Sequence, residues 1–239
     1  MNLVIDIGNS MTKAAVFLNK KLIKEETHEV FAQKNLETFL SHHSIKASIL
    51  SSVTSAHDEI KEQLKRLSFF VELNSETGLP ISNHYKTPAT LGNDRLANVV
   101  AAHALFPEKN VLVIDAGTCL KFDFINERNE YLGGAISPGL LMRYKALHVF
   151  TGRLPLLDPK GKVKLTGDST ADSMHSGVVN GMIAEINGII HQYDKLSYNL
   201  QVILCGGDAR YFSNQLKNNI FAAPYLTLQG LNEILLYNQ

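Results

Sequence analysis

The chain has very little cysteine: Cys119 and Cys205 are the only two in 239 residues. A disulfide framework is excluded, neither residue stands in a metal-ligand spacing or beside the charges a nucleophile needs, and both read as reduced, packed thiols. Charge of one sign is also missing, because 23 Lys and Arg balance 23 Asp and Glu. Without a basic field, neither nucleic acid nor anionic lipid is an expected partner, and a small molecule is favoured. No apolar run approaches the ~20 residues of a membrane span, and no basic segment precedes the first predicted strand. A cytoplasmic protein is expected. The nine histidines, among them adjacent His42 and His43, include no i, i+4 pair coupled to a carboxylate of the kind that binds zinc. Neither GxGxxG nor GxxxxGK[ST] occurs, so dinucleotide and P-loop sites have no footing. Asp123, Asp158 and Asp172 read as cap or loop acids, and His175 as a helix-face residue.

What is present is 45% hydrophobic content, enough for two small domains or one large one that folds without disulfides or structural metal. The run Leu3-Val4-Ile5-Asp6 with Gly8 recurs as Leu112-Val113-Ile114-Asp115 with Gly117. Each copy continues with small polar residues, Asn9-Ser10 or Thr118, and then a lysine, Lys13 or Lys121. Taken singly, either copy also reads as a buried strand with an ordinary turn. Repeated at domain-scale spacing, the pattern is an architectural signal. A strand, a tight polar turn and a second strand expose backbone N–H groups beside a carboxylate. Phosphate oxygens take the amides while the carboxylate holds hydrated Mg²⁺.

Alternation of apolar and polar residues predicts strands at 2–8, 12–18 and 21–30, a helix at 33–42, a strand from Ala47 to Leu50, a helix from His57 to Leu67 and a strand from Phe69 to Leu73. This is a β-β-β-α-β-α-β unit. The second half repeats it: strands near 110–115, 119–125 and 130–136, helices from Gly139 and over 170–193, a strand at 200–205, a helix after Gly207, a strand near Phe221 and a last helix near 228–237. Asn93 to Leu105 reads as a helix between the halves. The segment from Phe106 to Asn110 reads as the joint, dividing the chain into 1–108 and 109–239, and Leu154 to Gly167 as a loop. Hairpins mixed with crossovers imply mixed sheets. The expected fold class is α/β, with two ribonuclease H-like domains of the actin-like ATPase plan and a nucleotide in the cleft between them.

The segment from Tyr85 to Arg95 joins an aromatic, a proline, a glycine and an Asp-Arg pair at a predicted helix start. Asp94 suits the base that accepts a hydroxyl proton, and Arg95 a fork for a substrate carboxylate. The same pair also reads as a helix cap and a surface ion pair.

Four segments together resemble type III pantothenate kinases: Asp6-Ile7-Gly8-Asn9-Ser10-Met11-Thr12-Lys13, Tyr85-x-x-Pro88-x-x-x-Gly92-Asn93-Asp94-Arg95, Asp115-Ala116-Gly117-Thr118, and Gly133 to Gly139. The resemblance implies ATP-dependent phosphorylation of pantothenate to 4′-phosphopantothenate, the first step of coenzyme A biosynthesis. It implies that Asp6 orders Mg²⁺ through water while Gly8, Asn9, Ser10 and Lys13, with Gly117 and Thr118, bind ATP. Asp94 is then the proton acceptor, and Tyr85, Gly92, Asn93 and Arg95 line the pantothenate pocket. Asp115 holds a monovalent cation, K⁺ or NH₄⁺. Asp168 to Gly177 is similar to the family's threonine-bearing helix start, which implies a homodimer in which Thr170 bonds pantothenate across the interface. Read alone, Ser169 or Thr170 is an N-cap. Gly206 and Gly207 resemble the glycine pair near the adenine. Ser10, Cys119 and Cys205 depart from the usual threonine, alanine and threonine, and the chain is slightly short. A kinase of another small hydroxy acid and a catalytically silent nucleotide-binding regulator are the rival readings.

Overall fold

The computed structural model describes residues 1–8, 11–52, 58–67, 69–216 and 220–239. Strands β1 (Asn2–Ile7), β2 (Thr12–Leu18) and β3 (Lys21–His28) form a meander, followed by α1 (Gln33–His42), β4 (Ala47–Ser52), α2 (Asp58–Leu67) and β5 (Phe69–Glu72). The sheet order is β3-β2-β1-β4-β5. Short turns make β1–β2 and β2–β3 antiparallel, whereas the helical crossovers leave β1–β4 and β4–β5 parallel. Alternation along β1 divides its side chains between faces. Leu3, Ile5 and Ile7 pack with Leu36 and Phe39 of α1 and Ile60 and Leu64 of α2. Asn2, Val4 and Asp6 therefore occupy the other face.

A short strand β6 (Ser82–Asn83) and a 3-10 turn at Pro88–Thr90 lead into α3 (Asn93–Leu105). The second set comprises β7 (Val111–Ala116), β8 (Cys119–Ile125), β9 (Glu130–Pro138), α4 (Leu140–Val149), α5 (Thr170–His175), α6 (Gly181–Leu196), β10 (Gln201–Cys205), α7 (Ala209–Ser213) and β11 (Phe221–Ala222). Its sheet runs β11-β10-β7-β8-β9, with β6 added at the β9 edge. Apart from β6, the order of the first sheet is repeated strand for strand. The chain is thus an α/β protein with two mixed sheets on a duplicated β-β-β-α-β-α-β plan.

Two compact units result. One contains Met1–Pro107, Asn129–Tyr131 and Tyr225–Gln239, and the other Glu108–Arg128 and Leu132–Pro224. The last helix, α8 (Leu226–Tyr237), therefore lies with the first unit, although chain order assigns it to 109–239. It packs on α3, β1, β2 and β4. Gly230 permits the approach, since any Cβ there collides with the Ala97 carbonyl oxygen. Asn2 Nδ2 donates to Asn232 Oδ1 at 3.0 Å, and Asn232 Nδ2 to the Asn19 carbonyl at 2.9 Å, so the buried Asn232 amide is satisfied at both ends.

Two expectations change. The helix expected over 170–193 is interrupted by a π-helical turn at Ser176–Asn180. Ser176 Oγ donates to the Leu165 carbonyl and Asn180 Nδ2 to that of Lys164 at 3.0 Å, so the loop is tied to the widened turn while Val178 and Val179 stay in the core. Asp123 is neither a cap nor a loop acid. It is fully buried within β8, opposite Val113, on the face away from the core residues Leu120, Phe122 and Phe124.

Candidate active site

In the first unit, β1 ends at a half-buried Asp6 whose backbone partner on β2 is Lys13. Gly8 closes the turn, its N–H donating to the Met11 carbonyl at 3.1 Å. Ser51 Oγ, on the parallel neighbour β4, donates to Asp6 Oδ1 at 2.8 Å and fixes the carboxylate. Ser51 went unnoticed in the sequence because its role depends on the β1–β4 register, where Asp6 faces Ser51. Asn9 and Ser10 lie outside the described residues. A half-buried carboxylate oriented by a buried hydroxyl suits Mg²⁺, which is commonly held by one or two carboxylates.

The Tyr85–Arg95 segment builds a second cluster in the same unit. The Pro88–Thr90 turn, closed by Leu91 N–H to the Pro88 carbonyl at 3.2 Å, delivers the chain to Gly92, the N-cap of α3. A Cβ on Gly92 would stand 2.6 Å from Asp94 Oδ1, so glycine makes room for that carboxylate. Asp94 Oδ1 accepts from the Arg95 N–H at 2.8 Å, which gives the acid the helix-start role and a fixed orientation together. Arg95 is not a surface residue, being only 4% exposed. Its Nη1 donates to the Tyr85 hydroxyl at 3.4 Å, and its guanidinium lies 5.3 Å from that ring's centroid. Tyr85 in turn stacks on the buried Tyr131, with centroids 6.1 Å apart and planes 9° from parallel. Asn93 Nδ2 donates to the Leu73 carbonyl at 3.3 Å. Tyr131 is a further member that sequence reading missed, since only the β6–β9 pairing brings it beneath Tyr85.

The second unit repeats the strand–turn–strand. Asp115 on β7 faces Lys121 on β8 just as Asp6 faces Lys13. Here the side chains form an ion pair, Lys121 Nζ to Asp115 Oδ2 at 2.7 Å, with both largely buried. Gly117 N–H donates to the Cys119 carbonyl at 3.0 Å, and Thr118 is exposed at the tip. Gly139, the N-cap of α4, rests on the Gly117 and Thr118 carbonyls, where no Cβ fits. Gly206 (φ 93°) closes in from β10, and a side chain there would strike the Ala116 carbonyl oxygen and Asp115 Oδ1. Asp208 follows it and Gly207, its N–H donating to the Ala116 carbonyl at 2.8 Å. Burial, and then the Asp115 charge, push the Asp208 carboxyl above its usual range. Asp115, Gly117, Thr118, Gly206 and Gly207 are thus brought together. Thr170 stands apart from them, exposed at the start of α5 beside Leu147, Leu154 and Met174. The N-cap of α5 is Ser169, whose Oγ accepts from the Asp172 N–H at 3.1 Å, so the Thr170 hydroxyl is not spent on capping.

Two sheets of matching order, each with a carboxylate and a glycine turn at the end of its central strand, define the fold class: α/β on the actin-like ATPase plan. A Campylobacter jejuni chain described as a conserved Baf family transcriptional activator aligns with a TM-score of 0.65 at 23% identity, covering 99% of this chain and 98% of that one. A glucokinase from an Antarctic psychrotroph aligns at 0.53 and 11% identity, covering 99% and 98%. Sequence comparison is more specific. The family model for type III pantothenate kinase matches residues 2–192. Type III pantothenate kinases of Christiangramia forsetii and Phocaeicola vulgatus are 48% and 47% identical to it, each over 100% of this chain and 99% of its own length. The chain belongs to the type III pantothenate kinases.

Proposed function

We propose that the two polar turns and the Asp94–Arg95 cluster divide the work of the family reaction, the ATP-dependent phosphorylation of pantothenate to 4′-phosphopantothenate at the entry to coenzyme A biosynthesis. The observation that carries the reading is a buried Arg95 held by Tyr85 immediately beside an oriented Asp94. Arg95 takes the pantothenate carboxylate, with Tyr85, Gly92 and Asn93 shaping the pocket. The primary hydroxyl then lies at Asp94. As its oxygen bonds to the γ-phosphorus, the bond to the ADP oxygen breaks and the hydroxyl proton passes to the Asp94 carboxylate. Positioning and charge neutralisation supply most of the acceleration, and a base of this kind contributes ~10²–10⁴-fold.

Gly8, Asn9, Ser10 and Lys13 hold ATP phosphates at the first turn, while Gly117 and Thr118 do so at the second and Gly206 and Gly207 lie toward the adenine. Asp6, with Ser51 behind it, orders the water shell of Mg²⁺, which when bound neutralises phosphate charge. At Asp115 a monovalent cation shares the carboxylate with Lys121, which already occupies Oδ2. The enzyme acts in the cytoplasm as a homodimer. Support for the second copy comes from exposed apolar residues on and after α4, namely Leu141, Val149, Phe150, Leu156 and Leu165, near Thr170 in sequence and on the same unit. No helix of the described residues is long and apolar enough to cross a membrane.

ADP release with Mg·ATP and pantothenate tests the assignment. Asp94→Asn should lower turnover by ~10²–10⁴-fold and leave ATP affinity nearly unchanged. Near-normal turnover removes Asp94 from the mechanism. Turnover of other hydroxy acids at equal efficiency would favour the kinase of a different acid, and ATP binding without product would favour a regulator.

A further inference from the structure

Asn98 is fully buried on α3, one helical turn after Asp94. Residues four apart on a helix stand ~5–6 Å apart at Cβ, and a helical side chain leans back toward the preceding turn. The Asn98 amide therefore belongs to the stripe of α3 that carries Asp94. One end of the amide is engaged: Thr227 Oγ1, from the first turn of α8, donates to Asn98 Oδ1 at 2.8 Å. The other end, Nδ2, is buried without a hydrogen-bond partner. Reversing the amide does not remove the problem, because it leaves the oxygen in the same unpartnered place. An unsatisfied buried donor costs ~1–3 kcal/mol, and a side chain with one end pinned at that cost is a candidate for a bound group that completes it.

We propose that Asn98 is a positioning residue for the reaction, and that its Nδ2 donates through one bound water to the Asp94 carboxylate. This rests on the assignment of Asp94 as base. A donor directed at an ionised carboxylate favours the charged form over the protonated one. It also restrains the carboxylate on the side away from Oδ1, which the Arg95 N–H already holds. Among the described residues, the titratable groups on the elements packed against α3 are few. On α8 they are Glu233, paired with Lys20 at 2.8 Å, and Tyr237, and β4 carries none. On α3 itself they are Arg95 and His103, beyond Asp94. Thr227 and Asn98 are both neutral, so changing either leaves the local charge intact.

The test is the pH dependence of kcat in the full-length enzyme for Asn98→Leu, for the conservative Thr227→Val, and for Asp94→Asn as the reference. Loss of the Asn98 donor should move the acid limb of the profile to higher pH by about one unit, a tenfold loss of rate on that limb. Thr227→Val, which frees the amide to turn without removing it, should move the limb in the same direction by less. A merely structural Asn98 would lower the thermal midpoint and reduce rate evenly at all pH. An unmoved limb in Thr227→Val and in folded Asn98→Leu, with the limb abolished in Asp94→Asn, overturns the proposal while sparing the base. A limb that survives in Asp94→Asn overturns the base assignment and this inference with it. If Asn98→Leu does not fold, the Thr227→Val profile decides.

Discussion

Asp115 and Lys121 are opposed across β7 and β8 as Asp6 and Lys13 are across β1 and β2, yet the second pair closes into an ion pair of 2.7 Å. The ammonium already supplies positive charge where a monovalent cation is proposed. Turnover compared in potassium and sodium buffers should depend on potassium if the cation adds to Lys121, and indifference to the buffer assigns the charge to Lys121 alone. Asp208 offers a second residue-scale test. Its folded carboxyl titrates above the ordinary value because of burial and then Asp115. As pH rises, the unfolded chain ionises first, so the relative stability present below the unfolded value is lost as pH passes through the folded one. Asp208→Asn should therefore raise the thermal midpoint near pH 7, and the gain should vanish below about pH 4, where an ordinary aspartate is protonated. Asp94, Arg95 and the two strand-end aspartates were legible in the sequence because each belongs to a dense local motif. Ser51, Tyr131 and Asn98 were not, since each matters only through a partner on a distant element.

At the scale of elements, the sequence periodicity located the meanders, α1 and α3 almost residue for residue. What it missed has a physical reason. A π-helical turn keeps the apolar spacing of a helix, and only the side-chain bonds of Ser176 and Asn180 to the loop reveal it. Asp123 was misplaced because a buried carboxylate inside a strand contradicts composition rules, which place acids at caps and loops. The start of α5 separates two roles that the sequence left open between neighbours. Ser169→Ala removes the cap and should cost about 1 kcal/mol, which lowers the thermal midpoint by roughly 2–4 °C. Thr170→Ala should leave that midpoint alone and raise the KM for pantothenate. The reverse pattern in thermal and kinetic measurements would withdraw Thr170 from the substrate site.

For the whole molecule, the duplicated plan was readable from the repeated Asp–Gly runs, and the structure shows it as two sheets of the same strand order. The proposed homodimer belongs to this scale. Phe150 and Leu165, each 84% exposed, stand among the apolar residues offered to the second copy. Solution mass should be that of a dimer, and Phe150→Asp should shift it toward the monomer with loss of activity at low protein concentration. A monomeric parent defeats the shared site. The place of α8 could not be read from chain order, because its apolar residues match any core. Its docking has a consequence for biosynthesis. A ribosome releases β1, β4 and α3 long before residues 226–237, so the first unit emerges with the bed of α8 uncovered and cannot close until the second unit's chain is made. The half whose chain is begun first is the half whose chain is completed last.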